Sequence, residues 1–404
     1  MNSIQNNGVK ELYFTEEDIE ERMSGVKEDF WGDIKAETLR GVKLLLENSM
    51  EIEIQDMIGA KRWEHSQGRE GMRNGKYRRT LWTEYGWISD IRMPRLREGR
   101  AEIKTIKRYQ RRAEDVNKLI MNMFIYGVST RKIKEVLTPL YGREMISASS
   151  VSRISKELNK EVEKFHCKSI SDDYKYIFLD GIYLKAKSPI RSKRRCILVA
   201  YGIKVDGKRE LIDYRLSGGG GESESSWESF LNLLYNRGLE GKNIELVIMD
   251  GNKGLYNAVE MIWPRAKRQR CWAHKLRNVA NRVPKRMQEE CLKGARGIYD
   301  ADNRYKAIEA YKGWSRKWKQ IAPEAVRCLE EDLEDLLWFY DCPKEIRVKV
   351  RTTNIIERVF REVRRRTRPI SCFTNTQSVE RIIFAVFNRQ NNIWKNKPLK
   401  IEKE

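Results

Sequence analysis

Two short apolar runs each end in an aspartate that is followed by glycine. Asp180 follows residues 176–179, and Asp250 follows residues 244–249. A short apolar run that stops at glycine is typical of a strand buried on both faces, whose last side chain is presented at the sheet edge. Carboxylate oxygens are the ligands that Mg²⁺ prefers. The pair therefore predicts a shared metal site, although an aspartate before glycine is also common in turns.

Glu357 is the expected third carboxylate. Two ions about 3.5–4 Å apart, held by three carboxylates, can stabilise both the entering and the leaving oxygen of a phosphoryl transfer. Helical spacing places Glu357 beside a row of arginines suited to a phosphate backbone, namely Arg361, Arg364 and Arg368. An ordinary helix start is the alternative, with Asn354 and Glu357 at capping-box spacing and Glu357 paired to Arg361. The competing third ligands are Glu222, Glu224 and Glu228.

Cys271 and His274 have a spacing that zinc sites use. No second Cys/His pair of suitable spacing follows them, which argues against structural zinc. Residues 268–274 are expected to form a strand, so His274 would stand at a strand end and could donate to a phosphate oxygen. A satisfied core histidine is the default alternative.

The order of elements around these residues predicts an α/β core, a mixed sheet with flanking helices of ribonuclease H-like type. Its order is three strands, helix, strand, helix, strand. The strands are expected at residues 176–180, 195–205, 210–216, 244–250 and 268–274, and the helices at 225–238 and 255–262. Residues 275–345 are rich in helix formers without a strand signal, which predicts an all-helical insertion. The glycine cluster at 218–221 lacks the Lys-Ser/Thr of a phosphate loop and predicts a flexible loop.

A mostly helical DNA-binding region is expected before this core. It includes a β-hairpin over residues 77–93 that Pro94 stops. Arg78 and Arg79 of this hairpin interleave with the aromatic side chains of Trp82, Tyr85 and Trp87. This combination suits DNA, and a simple hairpin with solvated arginines fits equally well.

Three apolar-periodic helices between residues 115 and 165 have the pattern of a helix-turn-helix. The third is expected to begin at 147–150 and to present small polar and basic side chains to a DNA groove. These are Ser149, Ser152, Arg153 and Lys156. A plain three-helix bundle that binds nothing is the alternative.

Composition points to an anionic partner. Lys plus Arg is 80 and Asp plus Glu is 58, a net charge of +22 over 404 residues, whereas solubility needs only about 2–8 charges per domain. Nucleic acid is the common partner of such a chain. Seven scattered cysteines indicate a reducing compartment. The polar N-terminus predicts no secretory signal, and the apolar runs are too short for a membrane span.

Five segments are expected. They are a helical region with the hairpin for DNA binding or oligomerisation (1–110), the helix-turn-helix (111–170), the first part of the catalytic core (171–275), the helical insertion (276–345) and the second part of the core with the Glu357 helix and a tail (346–404).

The chain resembles the bacterial insertion-sequence transposases of the Mutator-like family, a DDE type. The resemblance rests on residues 73–94, 179–183, Glu222 with 227–231, 237–239, 249–251, 269–278 and 352–357. The Cys271…His274 signature after the second aspartate is its most specific part, and related hAT-like enzymes share it.

The resemblance implies a catalytic triad of Asp180, Asp250 and Glu357 that holds two Mg²⁺ ions, with Mn²⁺ as a substitute, and His274 as a further site residue. Arg270 and Lys275 are expected to join the helix arginines in binding DNA. In related enzymes an insertion-domain tryptophan stacks on a displaced base. The candidates here are Trp314, Trp318 and Trp338, each with a core role as its alternative.

The implied reaction is cleavage at the transposon end by an activated water, followed by attack of the freed 3′-hydroxyl on target DNA. The implied partners are the terminal inverted repeats, target DNA and further copies of the chain, as a homodimer or higher oligomer on DNA. The expected location is the bacterial cytoplasm, at the nucleoid. One alternative is a non-catalytic DNA-binding regulator. Another is a different ribonuclease H-like nuclease such as a resolvase, against which the helical insertion and Cys-x-x-His argue.

Overall fold

The computed structural model describes residues 30–65, 67–97, 102–141, 146–187, 192–217, 221–368 and 376–400. The chain divides into two compact units. The N-terminal unit comprises residues 1–121 and 135–145, and the C-terminal unit comprises residues 122–134 and 146–404. No helix within the described ranges is long and apolar enough to cross a membrane.

The N-terminal unit is built on a long helix, α1 (Phe30–Ile58), and a hairpin of strands β1 (Arg73–Thr83) and β2 (Gly86–Leu96). Their shared core consists of Met50, Leu81, Ile88, Ile91, Met93 and Ile106. Alternate residues of β2 face this core, so the period-2 pattern of the sequence fixes which face of the hairpin the helix covers.

The hairpin departs from the prediction at two places. Strand β2 continues through Pro94, which pairs with Lys76, because each strand of a two-stranded sheet has a free edge where a missing N–H costs little. Trp82 is fully buried, stacked on Trp87 at 6.2 Å. Tyr85, which is 48% exposed, is therefore the hairpin aromatic that is open to a partner.

Four helices follow, namely α2 (Glu114–Ile125), α3 (Thr130–Tyr141), α4 (Ala148–Ser155) and α5 (Leu158–Cys167). The prediction of a single third helix is wrong. Its residues form two helices, α4 and α5, and Lys156 is the C-cap of α4. The Ser155 hydroxyl donates to the Ser152 carbonyl at 2.9 Å, a side-chain bond that competes with the helical pattern and favours a break. The boundary between the two units falls within α2 and α3.

A five-stranded mixed sheet forms the centre of the C-terminal unit. Its strands are β3 (Tyr174–Lys187), β4 (Ser192–Lys204), β5 (Arg209–Leu216), β6 (Leu246–Met249) and β7 (Lys267–Arg270), in the order β5-β4-β3-β6-β7. Strands β3, β4 and β5 are antiparallel neighbours, and β6 and β7 run parallel to β3. Two helices connect the later strands, α6 (Glu224–Asn236) and α7 (Lys253–Ile262). The predicted α/β class and the order of strands and helices along the chain are confirmed. Residues 218–220 of the expected glycine loop lie outside the described residues.

Asp180 lies inside β3 rather than at its end. Strand β3 pairs with β4 as far as Lys187, whereas its parallel pairing with β6 stops at Leu179 and Met249. Asp180 and Asp250 therefore both follow the last parallel pair, which places them at the same level of the sheet. Successive side chains of a strand point to opposite faces of the sheet. Asp180 therefore shares a face with Phe178, whereas Leu179 belongs to the hydrophobic core on the opposite face.

Helices and turns account for the regular structure of residues 275–345, as predicted. The helices from β7 onward are α8 (Trp272–Ala280), α9 (Gln288–Tyr299), α10 (Arg304–Trp318), α11 (Pro323–Glu330), α12 (Leu333–Leu337), α13 (Lys344–Val350), α14 (Asn354–Thr367) and α15 (Thr376–Trp394), with 3₁₀ turns at Lys285–Met287 and Trp338–Asp341. Helices α14 and α15 return to the sheet, where Trp394 packs against Tyr201 with ring centroids 5.4 Å apart.

Asp332 joins the edge of the sheet to the helical segment. Its carboxylate accepts a hydrogen bond from Arg270 Nη1 at 3.0 Å and another from Nζ of Lys275, which is only 4% exposed. The buried Gln269 side chain donates to the Leu336 carbonyl at 3.0 Å. Polar side chains of β7 and α8 therefore fasten α12 to the sheet.

The substitution Asp332→Asn tests this joint, because it leaves the buried Lys275 ammonium without its carboxylate. Removing one member of a buried ion pair costs about 3–5 kcal/mol, and we expect urea denaturation to show a loss of about 3 kcal/mol. The matched control is Glu334→Gln, whose carboxylate pairs with Arg304 but is 70% exposed, and an exposed pair contributes about 0–1 kcal/mol. Equal losses for the two variants would contradict the role of Asp332.

Candidate active site

One cleft of the C-terminal unit brings the predicted carboxylates together. Its volume is about 410 Å³. Its lining consists of Asp180, Gly181, Glu222, Asp250, His274, Arg277, Glu357, Phe360, Arg361 and Arg364. The two strand aspartates and the helix glutamate, distant in sequence, thus share a single site with basic side chains at its wall.

The two aspartates are held in the same way. Each accepts a hydrogen bond from the N–H of the glycine that follows it, at 2.8 Å for Asp180 and 2.6 Å for Asp250. Burial raises the pKa of Asp180 to about 7, against the opposing effects of His274 and the glycine N–H. Asp250 is more open, with its side chain 41% exposed. The site therefore combines one carboxyl that holds a proton near neutrality with one that faces solvent.

The glycine after each aspartate makes room for a neighbouring side chain. A Cβ at Gly181 would lie 2.5 Å from Glu222 Oε1, and one at Gly251 would overlap the Arg270 guanidinium. Neither glycine has a left-handed backbone. The two Asp-Gly pairs thus share the close approach of a side-chain end to the glycine.

Glu222 is a fourth carboxylate of the cleft. It accepts a weak hydrogen bond from Cys196 Sγ at 3.6 Å, and burial raises its pKa. The other two glutamates that competed for the third position do not line the cleft, and exposed Glu224 instead accepts from Asn257 at 3.0 Å. Glu222 therefore stands beside Glu357 in the site rather than in place of it.

Glu357 lies in the first turn of α14, whose N-cap is Thr353. The capping-box interpretation, with Asn354 as N-cap, is therefore wrong. The Glu357 carboxylate faces His274 Nε2 at 3.5 Å and Arg277 Nη2 at 3.6 Å. Its neighbours are thus on α8, not on its own helix.

His274 lies in the first turn of α8, which corrects the predicted strand end. Its Nδ1 is 3.8 Å from Asp250 Oδ1, and this buried nitrogen has no hydrogen-bond partner within the described chain. Burial lowers its pKa, but the Cys271 side chain and the carboxylates of Asp250 and Asp180 more than offset this and raise the pKa to about 9. The imidazole is therefore cationic at neutral pH and lies between two acids.

Cys271 fastens the helix that carries Glu357. The buried Thr353 N–H donates to Cys271 Sγ at 3.3 Å, and the Trp272 N–H donates to the Arg351 carbonyl at 3.0 Å. The thiol is thus engaged by the start of α14.

A hard divalent cation fits the donor chemistry of the cleft. Within the described ranges, no group of three or more His, Cys, Asp or Glu residues already stands in a metal-binding geometry. The carboxylates nevertheless converge on one cavity. The negative charges of Asp250 and Glu222 contribute, after burial, to the raised pKa of Asp180. Oxygen donors of this kind suit Mg²⁺ better than zinc.

The predicted basic residues near the site have different placements. Arg361 and Arg364 line the cleft, whereas Arg368 is the exposed C-cap of α14. Arg270 and Lys275 are paired with Asp332, as described above. Arg277, which the sequence did not single out, contributes a guanidinium that is 61% exposed. The spacing of three residues between His274 and Arg277 was the sequence signal that could have placed Arg277 near the site, had a helix been predicted there.

The other predicted DNA contacts do not line the cleft. In the N-terminal unit, Arg78 pairs with Asp90 at 3.5 Å, and Arg79 donates to the Gln110 carbonyl at 2.7 Å. On α4, Ser149 and Arg153 are exposed, as is Lys156 at its end, and Ser152 is half-buried. Their part in DNA binding remains a prediction.

Two of the three candidate tryptophans are core residues. Trp314 is 5% exposed and Trp318 is 1% exposed. Trp338 is partly exposed, with Lys267 Nζ 4.6 Å and the Arg304 guanidinium carbon 5.1 Å from its ring centroid. Trp338 is therefore the candidate with an accessible ring.

Known proteins resemble this chain along most of its length. The transposase for insertion sequence element ISRM5 of Rhizobium meliloti (strain 1021) is 33% identical over 353 residues, 87% of this chain and 87% of that protein. The transposase for insertion sequence element IS256 in transposon Tn4001 of Staphylococcus aureus is 32% identical over 348 residues, 85% of this chain and 87% of that protein. Among solved structures, a chain of the Drosophila P element transposase strand transfer complex has a TM-score of 0.29 and 9% identity over 69% of this chain and 79% of that one, too distant to support a conclusion.

The family described as "Transposase, Mutator family" matches residues 16–397. This span contains every residue that lines the cleft. The family match and the relatives show that this chain belongs to the Mutator family of transposases.

Proposed function

We propose that this chain is a DDE-type enzyme that binds the terminal inverted repeats of its insertion sequence, cuts there and joins the freed 3′-hydroxyl to target DNA. The observation that supports this most directly is the convergence of Asp180, Asp250 and Glu357 on one cleft. The strand order and the helical segment before Glu357 are consistent with a ribonuclease H-like core interrupted by an insertion.

The three carboxylates are the proposed metal ligands. When bound between them, two Mg²⁺ ions would supply an activated attacking oxygen and charge stabilisation of the leaving oxygen. Asp180 would have to lose its proton to act as a ligand, since burial raises its pKa to about 7. Asp250 is the more exposed of the two aspartates.

The basic side chains orient the DNA and offset its charge. Arg277, Arg361 and Arg364 present guanidinium groups along the wall of the cleft, and guanidinium pairs well with phosphate oxygens. His274 holds a proton between Asp250 and Glu357, so it reduces their repulsion and can donate to a phosphate oxygen. Helix α4, within the proposed helix-turn-helix, and the hairpin arginines are the proposed contacts to the repeats.

Strand joining by purified protein tests the proposal. Asp250→Asn should keep DNA binding but lower strand joining by at least about 1,000-fold, because ions held by carboxylates supply several kcal/mol and each 1.36 kcal/mol is tenfold in rate. Chelation of divalent ions should abolish joining, and Mg²⁺ should restore it. The measurement uses duplexes that carry both ends of the DNA element that encodes the chain.

Asp206→Asn is the matched control. Asp206 also precedes a glycine, but it lies in the β4–β5 turn, accepts from the Lys208 N–H at 2.9 Å and is 48% exposed. Its variant should join DNA at the wild-type rate. If Asp250→Asn joins as well as the control, the metal-site assignment is wrong. Wild-type protein that binds the ends but never cuts or joins them would indicate a regulator instead.

Cys271→Ala should weaken catalysis through the position of Glu357. The change leaves the buried Thr353 N–H without its acceptor, which costs about 1–3 kcal/mol of stability, and it loosens the start of α14. We expect a lower rate of joining with unchanged DNA affinity, measured together with urea denaturation. Cys271→Ser keeps an acceptor and should recover most of the rate.

Cys328→Ala is the control for the loss of a buried thiol, since Cys328 is 6% exposed on α11 and does not line the cleft. It should leave the joining rate unchanged. A joining rate in Cys271→Ala that matches this control would show that the thiol does not position Glu357.

A further inference from the structure

A second basic groove lies beside the cleft, on the other side of α14. Its volume is about 460 Å³, and α14, α15 and the start of β5 form its walls. Four arginines line it, together with a single acid, Glu362. We call it the arginine groove and define it by Arg209, Arg358, Arg361 and Arg365.

Little of the positive charge in the arginine groove is neutralised by the protein. Glu362 pairs with Arg365 at 3.0 Å and with the buried Arg366 at 2.7 Å, and Arg366 holds its pKa below the usual range. Within the described chain, neither Arg358 nor Arg361 has a carboxylate at ion-pair distance. The groove therefore keeps an excess of guanidinium groups over carboxylates.

Arg209 is held in place in the wall of the groove. Its guanidinium carbon lies 5.3 Å from the centroid of the buried Trp394 ring. Among the described residues it has no carboxylate at ion-pair distance. Arg209 therefore adds a positive charge of fixed position to the groove.

The arginine groove is continuous with the cleft through one residue, Arg361, which lines both. Helix α14 presents Glu357 and Arg364 to the cleft, and Arg358 and Arg365 to the groove. Arg358 and Arg365 are about 10 Å apart along the helix axis at ~1.5 Å per residue. A DNA strand has about one charge per 3.4 Å of axis, so this row spans roughly three phosphate-to-phosphate intervals.

We propose that the arginine groove binds the phosphodiester backbone of the DNA strand next to the phosphate that reacts in the cleft. This assignment rests on the proposed function, since it takes the reacting phosphate to lie between Asp250 and Glu357. A polyanion suits the groove better than a single small anion, because the guanidinium groups form a row that leads out of the cleft. Arginine forks also pair with phosphate more specifically than lysine does.

The test is the double variant Arg358→Ala/Arg365→Ala, which leaves Arg361 and the cleft unchanged. Its matched control is Arg316→Ala/Arg327→Ala on α10 and α11, which removes two charges from exposed helix positions, one of them in an i,i+3 pair like that of Arg365. Affinity for duplex DNA carrying one element end is measured by fluorescence anisotropy at several KCl concentrations. Each lost phosphate contact lowers the salt slope by about 0.7–0.9, so the groove variant should lose about 1.4–1.8 and the control nothing.

A second set of duplexes locates the contact. One duplex ends at the reacting phosphate. A second duplex extends past this phosphate on one side, and a third extends past it on the other side. The groove variant should bind more weakly than wild type on one extended duplex and equally well on the duplex that lacks that extension. Equal salt slopes for the groove and control variants would overturn the proposal. An affinity loss that is the same on all three duplexes would also overturn it.

Two further outcomes are distinguishable. If wild-type protein joins no DNA but the groove variant still loses salt slope, the proposed function fails and the groove stands as a DNA-binding surface. If the groove variant instead changes the mass of the DNA-free protein in light scattering and leaves the slope unchanged, the groove contacts a second copy of the chain and the DNA assignment is wrong.

Discussion

The enclosure of four carboxylates in one small cleft is the constraint on which the candidate site depends. Asp180, Glu222, Asp250 and Glu357 line one small cleft, and burial raises the pKa of Asp180 to about 7. Holding like charges together in a partly buried site costs free energy that neighbouring contacts must offset. His274 supplies part of the counter-charge, because it is cationic at neutral pH and lies 3.8 Å from one acid and 3.5 Å from another.

The acids belong to distant segments, so the repulsion is resisted by contacts that fix those segments to each other. Residues 269–275 provide many of these contacts. Cys271 holds the start of α14, and Lys275 holds Asp332. Residues three apart on a helix turn share a side, and Cys271 and His274 thereby face α14 and the cleft together. The Cys-x-x-His spacing is thus accounted for by helix geometry.

The sequence was informative where the signal was local and failed where distant contacts decide. Apolar runs that end in Asp-Gly pointed to Asp180 and Asp250, and helical spacing favoured Glu357 while leaving Glu222, Glu224 and Glu228 open. His274 was expected on a strand, because residues 268–273 have no helix signal of their own. Helix α8 nevertheless begins there, and the Trp272 indole in its first turn donates to the Leu336 carbonyl at 2.7 Å, a contact sixty-four residues away. Arg277 resembles any exposed helix arginine until α14 is folded beside it.

Helix α14 shows how one element couples the cleft to the arginine groove. Its apolar face, with Ile356 and Phe360, is buried and fixes the rotation of the helix about its axis. Successive residues of a helix differ by about 100° in direction, so the neighbours Glu357 and Arg358 necessarily face different surfaces. A rotation that moved Glu357 out of the cleft would also turn Arg358 out of the groove. The core contacts of α14 that position Glu357, a proposed metal ligand, therefore also position the arginines along the proposed path of the DNA. A change in one position would change the other.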